Sequence, residues 1–75
     1  MNNKKREQLR KALAALDVAS NYVEGVKDEE QESFDNAPEN LQYSERYAGL
    51  EYNAEQLDEA MEQIESAKGV IEGVI

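Results

Sequence analysis

Residues 43–75 read YSERYAGLEYNAEQLDEAMEQIESAKGVIEGVI. Within them Tyr43, Tyr47, Leu50, Ala54, Leu57, Met61, Ile64, Lys68, Ile71 and Ile75 alternate steps of four and three, and Lys68 is the one polar member. That spacing puts all of these side chains on one seam of an α-helix. A strand would need period two, which appears nowhere for more than a few residues. Ala60, Ala67 and Val74 sit one residue before Met61, Lys68 and Ile75 and widen the apolar face. A face that wide can meet more than one neighbouring helix.

Upstream lies Asp35-Asn36-Ala37-Pro38-Glu39-Asn40, which holds the one proline of the chain and a cluster of turn formers. Before it, Leu9, Ala12, Leu16, Ala19, Val23 and Val26 again alternate steps of three and four, with Leu13 and Ala15 beside them. The spacing predicts a first helix at about 3–34, a bend at 35–42 and a second helix at about 43–74 in one domain. Ala12 and Ala19 in the first seam would let a partner helix approach closely. Ser44 is the expected N-cap of the second helix, with Tyr43 and Ala48 as a hydrophobic staple. Pro38 with Glu39 would begin a short preceding turn. Phe34, Asn36, Pro38, Leu41, Tyr43 and Tyr47 make up the bend, and its apolar members would close the end of the hairpin.

A short connection makes neighbouring helices antiparallel. The fold class is therefore all-α, an antiparallel two-helix hairpin with arms about 45 Å long at 1.5 Å per residue. A core of this size rarely supplies more than a few kcal/mol. The sequence predicts that two copies form a four-helix bundle, with Leu9, Leu13, Leu16, Val23, Leu50, Leu57, Met61, Ile64 and Ile71 as core and dimer residues.

The chain has 75 residues, 8 Lys+Arg against 17 Asp+Glu, a net charge of −9, and neither His nor Cys. Without them there is no ordinary zinc site, disulfide, thiol nucleophile or histidine relay. No nucleophile–base pair can be named, so the expectation is a non-enzyme without cofactor or metal. A bundle of the di-iron type would need Glu-x-x-His. The acidic balance argues against direct binding to nucleic acid or anionic lipid. No apolar run is long enough to span a membrane, and MNNKKREQLRK is not a secretory signal, so the expected place is the cytoplasm.

The charges are unevenly spread. Glu51, Glu55, Asp58, Glu62, Glu65 and Glu72 form an acidic stripe at helical spacing, with Gly69 in its one gap. Like charges at such spacing cost about 0.2–0.5 kcal/mol per neighbouring pair. The stripe is a solvated face, a docking surface for a basic partner, or a mimic of a nucleic-acid phosphate track. Lys4, Lys5, Arg6, Arg10 and Lys11 give residues 1–11 a charge of +4, against −13 for the rest. An antiparallel hairpin would lay this basic arm beside Glu62, Glu65 or Glu72. The arm opposes the helix dipole, so its first turn would fray. Asp28, Glu30, Glu32 and Glu39 occupy calcium-loop positions, but Ser33 stands where the sharp-turn glycine belongs. A charged helix end is the better account. Gly69 and Gly73 make a small-xxx-small pair, which outside a membrane loosens the last turns.

The segment Glu30-Gln31-Glu32-Ser33-Phe34-Asp35-Asn36-Ala37-Pro38-Glu39-Asn40-Leu41-Gln42, with Ser44-Glu45-Arg46-Tyr47 after it, resembles small acidic proteins of bacteriophages and prophages of gut and related bacteria. These share an EQE-FDN-PE-LQ-S-R core followed by a helix rich in Leu, Ala and Ile. The resemblance covers about half the chain. It implies a mobile-element origin, the cytoplasm of a bacterial host, a basic host or phage protein as a partner, and a non-catalytic role, and it points to no particular activity. The functional expectation is a protein–protein interaction module acting as a homodimer; the alternative is an acidic inhibitor or nucleic-acid mimic that occupies a basic groove.

Overall fold

The computed structural model describes residues 1–41 and 44–75, and the backbone alone at Arg46. Two helices, α1 (Asn3–Asp35) and α2 (Glu45–Glu72), are joined through a 3-10 turn at Glu39–Leu41. No strand occurs among the described residues. The chain is an all-α hairpin whose Cα atoms fill 59 × 15 × 12 Å. The bonds between its arms set the register: Lys27 meets Asp58 at 3.2 Å, Lys68 meets Asp17, and Asn53 Nδ2 donates to Glu30 Oε2 at 3.0 Å. As residue numbers rise on α1 they fall on α2, so the arms are antiparallel.

The two helices start differently. Asn2 sits in extended backbone, and its side chain accepts the Lys5 N–H at 2.8 Å. That satisfies one of the orphan donors of the first turn. The turn expected to fray is therefore capped, by Asn2. Ser44 does occupy the N-cap of α2, yet its hydroxyl makes no capping bond. Its backbone carbonyl instead accepts Ala48 N–H at 2.9 Å, and Glu45 supplies negative charge to the first turn. Tyr43 and its staple lie outside the described residues.

The bend is closed by backbone bonds. Asn36 N–H donates to the Glu32 carbonyl at 2.9 Å, Ala37 to Phe34 at 3.1 Å, and Leu41 to Pro38 at 2.8 Å. Ala37 is buried beneath them and Phe34 and Tyr47 are half-buried, while Leu41 stays 42% exposed. Leu41 therefore does not close the apolar end. The window from Asp28 to Asp35 is continuous helix, so the calcium-loop spacing does not form a loop there.

The seam of α2 is made of half-buried Tyr47, Leu50, Leu57, Met61, Ile64, Lys68 and Ile71, with Ala54 buried at 3% exposure. The seam of α1 keeps Leu9, Leu16 and Val23 of the expected one, but its alternate positions move on by one residue, a turn of about half a residue step. It consists of Leu9, Leu13, Leu16, Ser20, Val23, Lys27, Glu30 and Phe34, all half-buried, with Ala12 at its edge. Ala19 and Val26 face outward, so Ala19 gives α2 no close approach. The physical reason is size. This rotation covers Leu13 and Phe34 in place of Ala19 and Val26, and burial of a larger apolar side chain is worth more. The cost is Ser20, Lys27 and Glu30 in the seam. The last two are answered from α2, Lys27 by Asp58 and Glu30 by Asn53.

Candidate functional site: the two faces of the hairpin

Helix geometry gives the hairpin two unlike broad sides. Residues one place after each seam position fall on one side of both helices, and residues one place before fall on the other, because the arms run in opposite directions. The first side carries an open groove of about 570 Å³, lined by Asp17, Ser20, Asn21 and Glu24 of α1 and Asp58, Met61, Glu62 and Glu65 of α2. The second carries a shallower one, lined by Val26, Glu30, Asn53, Gln56 and Leu57. The first is acidic. The second is almost without charge.

On the acidic side all six stripe residues, Glu51, Glu55, Asp58, Glu62, Glu65 and Glu72, are exposed. They are not equivalent. Two seam lysines send their ammonium groups to this side: Lys27 to Asp58 at 3.2 Å, and Lys68 to Asp17 and to Glu65, the latter at 3.1 Å. Both stems lie in the seam, and the Lys68 side chain is only 16% exposed. The hydrogen bond to Asp17, and after it that to Glu65, holds the Lys68 ammonium above its ordinary pKa. Glu51, Glu55 and Glu62 have no ion partner among the described residues. Glu72 has none either, so among the described residues two of the six stripe members are tied down and four are free. The sequence marked Lys68 as a break in the seam, and the structure supplies its partner, Asp17.

The basic arm does not reach the stripe. Counting outward from Asp17–Lys68, Leu13 stands level with Glu72 and Arg10 with Ile75. Lys4, Lys5 and Arg6 therefore overhang the end of α2. The contact recorded in the arm is local, Arg6 Nη1 to Asn3 Oδ1 at 3.3 Å. The expected pairing with Glu62, Glu65 or Glu72 is replaced by Lys27 and Lys68, because the register places those two levels apart from the arm.

On the neutral side α1 presents Ala12, Ala15, Ala19, Tyr22 and Val26, and α2 presents Gln56, Ala60, Gln63, Ala67, Val70 and Val74. Tyr22 is 75% exposed, Val70 68%, Val74 53% and Val26 50%. Among the described residues no group of three or more carboxylates is arranged to hold a metal ion. No described helix is long and apolar enough to cross a membrane. Comparison with known protein families, characterised proteins and solved structures finds no match for this chain.

Proposed function

We propose that the chain is a non-catalytic protein–protein interaction module, of a phage or prophage type, that works as a homodimer forming a four-helix bundle. The carrying observation is the poverty of the hairpin's own interior. Among the described residues only Ala37 and Ala54 are buried apolar side chains, while Tyr22, Val26, Val70 and Val74 stand half or more exposed. A chain this small needs more than one thin seam to remain folded. Burial against another helical layer supplies what the seam lacks. The phage setting is supported by the resemblance of the bend segment, Glu30 to Tyr47. Solution mass by light scattering, at low and high salt, tests the reading. Twice the chain mass of 8.5 kDa is expected at micromolar concentration. A mass of one chain at every concentration would sink it.

A second reading draws on the acidic groove. Carboxylates from both helices flank it, and Glu55 and Glu62 are uncommitted. It would make the module an inhibitor, or a mimic of nucleic-acid phosphates, seated in a basic groove of another protein. Replacing Glu55, Asp58 and Glu62 by their amides discriminates. Capture of a basic partner that disappears in this variant, with helicity retained, favours the second reading.

A further inference from the structure

We infer that the neutral side of the hairpin is the surface that meets a second copy of this chain, face to face. This deepens the homodimer reading and rests on it. One third of the residues are charged, yet the row one place before the seam is free of charge from Gln8 to Val26 on α1 and from Gly49 to Val74 on α2. The register brings both rows to one side, so the neutrality belongs to a surface.

Charge identifies the occupant. A second copy carries the same −9. Two acidic sides would repel, and so would an acidic side against any acidic neighbour. A basic foreign partner would gain from the acidic side and nothing from the neutral one. The side on which the molecule spends no charge is the one that suits a partner of identical charge. The polar groups there fit the same logic. Gln56 and Gln63 are uncharged, so neither repels its own copy across a two-fold axis as a carboxylate would.

Size is also in proportion. At 1.5 Å per residue the neutral row runs about 27 Å along α1 and about 37 Å along α2. Two helices side by side are about 20 Å wide. Such a face is on the order of the ~800 Å² per partner of a stable protein interface. Ala19 and Ala67 lie mid-row and are exposed, so a second layer can approach closely there.

The test is sedimentation equilibrium on the full chain and on four variants. Tyr22→Glu and Val70→Glu place a charge on the neutral side, and each should raise the dimer Kd at least about a hundredfold. Glu62→Gln on the acidic side should leave Kd within about threefold. Because the charged variants could unfold, Gln63→Leu provides the opposite sign: it should tighten the dimer about tenfold and raise the melting temperature at fixed concentration. A wild-type chain that is monomeric throughout removes the homodimer reading itself. A wild-type dimer indifferent to Tyr22→Glu, Val70→Glu and Gln63→Leu leaves that reading standing and overturns this assignment.

Discussion

Lys68 of α2 crosses the hairpin to Asp17 of α1 with its stem in the apolar seam and its ammonium on the acidic side. The pair fixes one level of the register and carries a pH signature. The Asp17 hydrogen bond, then that of Glu65, raises the Lys68 pKa above its ordinary 10.5. A raised pKa in the folded state means that the stabilisation is fully present below the unfolded value and is lost as pH climbs through the folded one. The melting temperature of the wild type should therefore fall in the alkaline range above about pH 10.5. Lys68→Met lacks this group and should lack that part of the fall, so the difference between the two melting curves against pH is the readout. An identical alkaline loss in both proteins would show that the pair contributes nothing.

Asn2→Ala removes the side chain that accepts Lys5 N–H. The expected loss is about 1 kcal/mol, the usual worth of an N-cap. Ser44→Ala should cost much less, because the Ser44 hydroxyl makes no capping bond. Chemical denaturation of the two variants side by side checks the contrast. Equal losses would contradict the cap assignment.

Gly25 lies within α1, and a Cβ built on it meets nothing within 4 Å. Alanine is favoured over glycine in a helix interior by about 0.8–1 kcal/mol. Gly25→Ala should raise stability by about that amount without changing solution mass. Gly69 in α2 has the same open surroundings, so Gly69→Ala should behave alike.

Ala54 is the most buried side chain described, at 3% exposure. Enlarging it forces the arms apart, and Ala54→Leu should cost about 1–3 kcal/mol, the range for overpacking a filled site. Ser20, also in the seam but half-buried and beside the open groove, has room. Ser20→Leu should stabilise, and thermal melts of both variants settle the matter.

How far these features can be seen in the sequence alone depends on which element is considered. The seam of α2 is continuous, broken only by Lys68, so its period identifies both helix and face. The seam of α1 is ambiguous by one residue at its alternate positions. Ala12, Ala19 and Val26 make a more apolar row than Leu13, Ser20 and Lys27, and periodicity counts apolar residues without weighing their size or their partners across the hairpin. The structure turns α1 so that Leu13 and Phe34 are covered and Lys27 can reach Asp58. The acidic stripe was visible at once. Its division into tethered and free members was not, since Asp17 and Lys68 are far apart in the chain and meet only through the register. The Asn2 cap carried a visible signal, an Asn immediately before a run of helix formers, which the opposing charge of the arm obscured.

The overhang of Lys4, Lys5 and Arg6 beyond the end of α2 has an electrical consequence. The opposite end of the rod carries Glu32, Asp35, Glu39 and Glu45. Centres of positive and negative charge are thus separated along a body 59 Å long. The hairpin has a permanent electric moment on its long axis, and it turns in the field of any large charged body before contact. A polyanion meets the termini first, and a polycation meets the bend.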